Sequence, residues 1–324
     1  MGSLGAAFFF AGETEMGGCA FLFPGQASQV VGMARDLFEQ YESVRERFAQ
    51  ADEALGFNLS QICFEGPEDR LMQTEVTQPA VFVHSVAACE LLITEGLEPI
   101  AVAGHSLGEY SALVAAGALS FEVALALVGP RGKLMQAAGV ARPGAMGVVI
   151  GLDDAQITTL CEQAADVGVV VAANFNAPGQ VVVSGDQAAV ARLGELALGA
   201  GAKRFIELAV SGAFHSPLMQ PATEQMEALL QAAPIVAPQV PVLTNVSAAP
   251  VVDPEELRSH LIQQITSSVR WTETVRKLAV MGIDRAYEVG PGAVLKGLVR
   301  RIERGLVVDC AGKVEEISAA KGVG

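Results

Sequence analysis

The stretch Ala103-Gly104-His105-Ser106-Leu107-Gly108-Glu109 decides how the rest of the chain is read. Gly104, Ser106 and Gly108 spell G-x-S-x-G, with the apolar run Pro99 to Ala103 before it and an amphipathic stretch, Glu109 to Leu119, after it. A strand, a sharp turn and a helix are the context in which this pattern presents a nucleophilic serine. Bulky neighbours would clash in such a turn, which is why glycines flank the serine. The turn pushes the hydroxyl out of the fold and aims the first N–H groups of the next helix at whatever it attacks. The alternative is a glycine-rich loop without chemistry, and the flanking strand and helix weigh against it.

The 324 residues suffice for one large domain or two smaller ones with a sizeable core. Half are hydrophobic, rich in Ala, Val, Leu and Gly, which suits a tightly packed α/β protein. Against 36 acidic residues stand 21 basic ones, a net charge of −15 that argues against a nucleic-acid partner. The same balance obliges an anionic substrate to find local basic residues. The most apolar region, Ile100 to Leu119, is interrupted by His105, Glu109 and glycines, so no membrane span is expected. Five scattered cysteines without C-x-x-C or metal-ligand spacing read as reduced thiols in a reducing compartment. Residues 1–18 read as a disordered leader. Their apolar run Leu4 to Ala11 has no basic residue before it and Glu13 and Glu15 after it, which fits neither a secretory signal nor a transit peptide.

In chain order, Cys19 to Phe23 is a strand that stops at Pro24-Gly25 and opens the loop Gln26-Ala27-Ser28-Gln29. Met33, Leu37, Tyr41, Val44 and Phe48 share one face of a helix over Gly32 to Leu55. Pro79 to Leu92 is a buried helix containing His84. Phe121 to Val128 is helical up to Gly129-Pro130, where a break or kink is expected because proline removes a helix hydrogen bond. Arg131 then heads the next helical piece, Gly132 to Ala138. From Ala145 to Val210 the order is strand, helix, strand, strand, helix, strand: a ferredoxin-like unit inserted in the larger domain. Helices follow at Met219 to Leu230, Glu255 to Ile265 and Trp271 to Met281, and strands at Val240 to Thr244 and Arg285 to Val289.

The expected fold class is therefore α/β. An α/β-hydrolase-like large subdomain with a parallel sheet, 19–143 and 211–308, carries a ferredoxin-like small subdomain, 144–210, and the polar end 309–324 is a flexible tail.

A serine hydroxyl needs a base within hydrogen-bond reach. Of the four histidines, His105 adjoins the serine on a tight turn and points away from it. His260 lies in a charged helix. His84 precedes the elbow on an apolar face. His215, in the loop Gly212-Ala213-Phe214-His215-Ser216-Pro217, is the best base on position alone. What orients its second nitrogen is not obvious, and several carboxylates are open to that role.

Six motifs stand in order: Phe23-Pro24-Gly25-Gln26-Ala27-Ser28-Gln29; Gly104 to Glu109; Arg131-Gly132 with Met135-Gln136; Asn174-Phe175-Asn176-Ala177-Pro178-Gly179-Gln180; Gly212 to Met219; and Glu288-Val289-Gly290-Pro291-Gly292. Together they resemble the malonyl-CoA:acyl carrier protein transacylases of bacterial-type fatty acid synthesis, from about Phe21 to Ile302. The resemblance implies ping-pong transfer of a malonyl group from malonyl-CoA to the phosphopantetheine thiol of acyl carrier protein. Ser106 would be the nucleophile and His215 its base. A main-chain carbonyl at Gln264 would orient that histidine in place of an acid. The N–H groups of Gln26 and Leu107 would form the oxyanion hole. Arg131 would grip the malonate carboxylate, a guanidinium fork matching two oxygens; taken alone it reads as a solvated helix charge. Asn176 would line the cleft, or serve the turn.

The resemblance implies no cofactor, coenzyme A and phosphopantetheine being carriers of the substrate. Malonyl-CoA and acyl carrier protein are the expected partners, with no nucleic acid and no membrane. A cytoplasmic monomer is expected, in the plastid stroma if the source is eukaryotic. A basic patch for the carrier protein would draw on Lys203, Arg204, Arg270, Arg276, Lys277, Arg300 and Arg301. Three residues depart from the family pattern. Ala27 replaces a usual glycine, Pro130 precedes the arginine, and Ser268 replaces a usual proline, which predicts a looser loop after Gln264. Two other readings share the elbow: an acyltransferase serving a polyketide synthase, and a serine hydrolase, against which the missing acid partner and the arginine count.

Overall fold

The computed structural model describes residues 18–210 and 212–320, so the expected leader lies outside the described residues except for Gly18. The chain opens with β1 (Cys19–Phe23), then α1 (Arg35–Gln40), α2 (Glu42–Leu55), α3 (Leu59–Glu65), α4 (Glu68–Leu71) and α5 (Thr74–Thr94). Next come β2 (Pro99–Gly104), α6 (Gly108–Ala115) and α7 (Phe121–Ala141). The insert is β3 (Gly144–Ile150), α8 (Asp154–Ala164), β4 (Val170–Ala177), β5 (Gln180–Asp186), α9 (Gln187–Gly199) and β6 (Arg204–Glu207). The chain then returns through α10 (Gln220–Ala232), β7 (Val242–Leu243), β8 (Pro250–Val251), α11 (Pro254–Gln264) and α12 (Trp271–Val280). It ends in β9 (Arg285–Val289), α13 (Val294–Ile302), β10 (Val307–Ala311) and α14 (Val314–Ala320).

Two sheets organise these elements. The larger runs β10-β9-β1-β2-β7-β8 and is parallel except for β8. Its central strands, CAFLF and PIAVAG, are apolar on both faces because helices cover both. The smaller sheet runs β4-β5-β3-β6, all antiparallel, with α8 and α9 in the crossovers; this is the ferredoxin-like order. A capping box between Asp153 and Gln156 starts α8. The insert is stitched to the main body along β4: Val269 N–H donates to Ala173 O at 2.8 Å and Phe175 N–H to Val269 O at 2.9 Å.

Four expectations need correction. The single helix over Gly32 to Leu55 is two, α1 and α2, broken at Tyr41. Helix α7 runs unbroken through Pro130. One main-chain bond is lost there, and burial of Leu127, Val128, Arg131, Gly132 and Met135 on either side offsets it. The loop after Gln264 is not loose, because Ser268 Oγ donates to Ala172 O at 2.6 Å. Residues 309–320 are not a flexible tail either. Strand β10 pairs with β9, and α14 buries Ile317 and Ala320 against the core. Polar residues at the helix surface and strand edge masked that burial.

Helix α5 is long and apolar enough to cross a bilayer, yet it lies buried inside the fold. Its His84 donates Nε2–H to Gly312 O at 2.8 Å, tying the central helix to the C-terminal segment. Burial pushes this imidazole down to about 4 from the ordinary 6.5. Between those values the unfolded chain takes up a proton that folded His84 refuses, so stability falls as pH falls through this window. His84→Gln is expected to lower the midpoint of thermal unfolding at neutral pH. It should also lose less stability than the parent between pH 6.5 and 4, as read by circular dichroism melts across that range.

Candidate active site

The elbow forms where β2 ends and α6 begins. A Cβ on Gly104 would lie 1.9 Å from the Gly108 carbonyl carbon, and one on Gly108 2.1 Å from Phe23 O, so only glycine fits either place. Between them Ser106 takes φ 53°, a left-handed conformation costly for a side-chain-bearing residue. Three hydrogen bonds hold it. Asn245, just past β7, accepts from Ser106 N–H with Oδ1 at 2.7 Å and donates from Nδ2 to Gly104 O at 2.6 Å. Gln264 Nε2, at the end of α11, donates to Ser106 O at 2.9 Å.

His215 arrives on the loop that returns from the insert, also left-handed at φ 58°. Its Nδ1–H donates to Gln264 O at 2.9 Å. A carbonyl can only accept, so the proton sits on Nδ1 and leaves Nε2 free to accept from Ser106 Oγ–H at 2.7 Å. Burial first, then the nearby Arg131 cation, pulls the imidazole down to about 3.

Arg131 is fully buried on α7. Its Nη1 donates to Gln78 Oε1 at 2.7 Å and its Nη2 to Gln264 Oε1 at 2.9 Å and Ser106 Oγ at 3.2 Å. The guanidinium lies 5.6 Å from the Tyr110 ring centroid. Among the described residues no carboxylate pairs with it. The closest acid in this network is Glu109, also fully buried, which burial raises to about 7.

These groups open on a cleft of about 160 Å³ between the two sheets, lined also by Gln26, Ala27 and Leu107 from the main body and Met146, Asn174 and Val182 from the insert. Grooves of about 690 and 780 Å³ elsewhere hold no paired nucleophile and base. Among the described residues no His, Cys, Asp and Glu group could hold a metal ion.

Ser106, His215, Arg131, Gln26, Leu107 and Gln264 thus converge. Asn176 does not line the cleft. Its Oδ1 accepts from His105 Nε2–H at 2.8 Å, and that imidazole leans on Trp271. Asn174 lines the cleft in its place; positions two apart share a face on a regular pleat, and the register shifts of β4 on either side of this pair separate them. Reading the chain alone missed Asn245, Glu109 and Gln78. Asn245 carried one usable signal, its place just beyond a strand of the parallel sheet. Glu109 and Gln78 looked like ordinary helix residues.

A strained elbow at the carboxyl edge of a parallel sheet, facing an antiparallel insert across a narrow cleft, is the frame of an acyltransferase. The chain belongs to the acyl transferase domain family, which matches residues 20–324. It is 48% identical over 285 residues to the malonyl CoA-acyl carrier protein transacylase of Haemophilus influenzae, covering 87% of this chain and 91% of that one. It is 44% identical to the Escherichia coli protein of the same name, covering 93% and 98%. Among solved structures, an acyl carrier protein S-malonyltransferase from Vibrio cholerae superposes with TM-score 0.90 at 46% identity, covering 93% and 98%. A malonyl-transacylase in complex with its type II PKS acyl-carrier protein superposes with TM-score 0.91 at 41% identity, covering 95% and 100%.

Two outcomes follow from the backbone geometry. Ala27 holds φ 81° where its relatives are expected to use glycine. Ala27→Gly should relieve that strain and raise stability by up to about 1 kcal/mol, read from denaturant midpoints. Asn245→Ala strips the elbow of its side-chain anchor. It should cost about 1–3 kcal/mol of stability in the same measurement, with a fall in kcat.

Proposed function

We propose that this protein transfers the malonyl group from malonyl-CoA to the phosphopantetheine thiol of an acyl carrier protein, through a malonyl ester on Ser106, to supply fatty acid synthesis. The observation that carries the substrate choice is Arg131: a buried cation without a carboxylate partner among the described residues, its Nη2 3.2 Å from the Ser106 oxygen. A diacid thioester brings its own carboxylate to that distance from the attacked carbonyl.

In the first half-reaction Ser106 Oγ forms a bond to the thioester carbon while its proton passes to His215 Nε2. The oxyanion is received by the N–H groups of Leu107 and Gln26. The C–S bond then breaks and the coenzyme A sulfur takes the proton from His215. The second half runs in reverse with the carrier thiol. It gives its proton to His215, its sulfur attacks the ester carbon, and Ser106 recovers its hydrogen.

The substrate also corrects the base. Arg131 is one cause of His215's low proton affinity. A malonyl carboxylate on Arg131 cancels that cation and makes His215 the stronger base in the complex that needs it. The reading calls for no further cofactor. The five thiols are free, which fits a cytoplasmic enzyme, and we take the chain to act as a monomer. Docking of an acidic carrier fits Lys296, Arg300, Arg301 and Arg304, which line one groove. The type II PKS partner of one similar structure favours a second reading, a polyketide carrier as acceptor.

Incubation with malonyl-CoA should add one malonyl group to the parent by intact mass and none to Ser106→Ala; labelling of that variant overturns the assignment. Arg131→Ala should lose about 10²-fold or more in kcat/KM for malonyl-CoA and much less for acetyl-CoA, since an acetyl group has no carboxylate for the guanidinium to grip. With its proton affinity lowered to about 3, His215 is neutral in the free enzyme at ordinary pH, Nδ1 keeping its hydrogen and Nε2 bare. The pH profile of kcat/KM should therefore lack an acid limb at an ordinary histidine value, a point that initial rates between pH 4 and 8 decide.

A further inference from the structure

Glu109 sits one turn beyond the nucleophile and nothing in the acyl-transfer steps uses it. It is fully buried, its Oε1 has no hydrogen-bond partner among the described residues, and its Oε2 accepts from Asn245 N–H at 3.0 Å and from Gln264 Nε2 at 2.9 Å. We propose that Glu109 is a positioning residue for the diacid: its Oε2 fixes the orientation of the Gln264 side-chain amide, and the amide oxygen so placed aims the Arg131 guanidinium.

Donor and acceptor capacity decides which way the amide lies. The Gln264 amide has three neighbours. Ser106 O can only accept, and Glu109 Oε2, which already receives Asn245 N–H, acts as an acceptor whether or not Oε1 carries a proton; both lie 2.9 Å from Nε2. Arg131 Nη2 can only donate, and it lies 2.9 Å from Oε1. One orientation satisfies all three. The flipped amide would set N–H against N–H at Arg131 and oxygen against oxygen at both acceptors. Without Glu109, one of the two acceptors that decide the orientation is gone, and the amide is free to leave Arg131.

Arg131 needs that hold. Its Nη1 is tied to Gln78, and among the described residues its Nη2 donates to Gln264 and the nucleophile. A guanidinium released by Gln264 swings about its long stem, and a two-point grip on a carboxylate loses its geometry. Glu109 touches no reacting atom, so its effect should fall on recognition of the diacid rather than on the bond-making steps.

The inference rests on the malonyl-transfer reading. That reading is checked separately by parent labelling with malonyl-CoA, which no Glu109 variant can alter. Glu109→Met fills the same space with no acceptor, and Glu109→Gln keeps an oxygen able to stand in for Oε2. Glu109→Met should raise KM for malonyl-CoA about tenfold or more with a smaller change in kcat, and erode the preference over acetyl-CoA by a similar factor. Glu109→Gln should recover most of that loss. Gln264→Met, which leaves the main-chain carbonyl for His215 in place, should show the same KM effect, and the double variant Glu109→Met with Gln264→Met no further loss. Additive losses, an unchanged malonyl-to-acetyl preference in folded Glu109→Met, or equal damage from Gln and Met would overturn the proposal. If Glu109→Met does not fold, Gln264→Met carries the decision: an unchanged preference there overturns it too.

Discussion

The hydrogen bond from Ser106 N–H to Asn245 Oδ1 is the constraint on which the site depends. A residue with a side chain does not rest in the left-handed region by itself. Ser106 is kept there because Asn245 occupies its N–H and the neighbouring Gly104 carbonyl, while Gln264 occupies its own carbonyl. Strain at the nucleophile is thus balanced by hydrogen bonds from two segments far along the chain, and the hydroxyl faces His215 rather than the core.

Gln264 joins the two halves of the chemistry. Its main chain orients the imidazole and its side chain touches both the elbow and Arg131. An acid behind the histidine would have placed a full negative charge beside the bound diacid. A carbonyl holds the same tautomer with only a dipole, so the buried Arg131 cation is left for substrate. The acidic surface, at net −15, makes this local cation matter more, since the long-range field repels malonyl-CoA.

The insert shapes the cleft without supplying the nucleophile or base. Strand β4 brings Asn174 to the opening and Asn176 to His105. Its stitching to the segment after Gln264 fixes how the small sheet meets the large one. Ser268 supplies a side-chain bond in that seam. The residue that breaks the family pattern thus tightens the joint by donating where a proline could not.

From the residue order alone, the elbow, the parallel strands around it, the ferredoxin-like insert and the Ser106–His215 pair were legible. Each rests on local chemistry: glycines at fixed offsets, alternation of apolar residues, and a scarcity of histidines. Pro130 misled, because the burial that carries α7 through it comes from α5 and the core. The C-terminal strand and helix were missed because pairing with β9 is a long-range event. Asn176 and Asn174 could not be told apart, since residues two apart share a face on a regular pleat and the register shifts that separate them arise only when β4 pairs with β5. Asn245, Glu109 and the side chain of Gln264 have no local signature at all. Their role is to complete hydrogen bonds between segments more than 130 residues apart, and only the folded chain brings the donors and acceptors together.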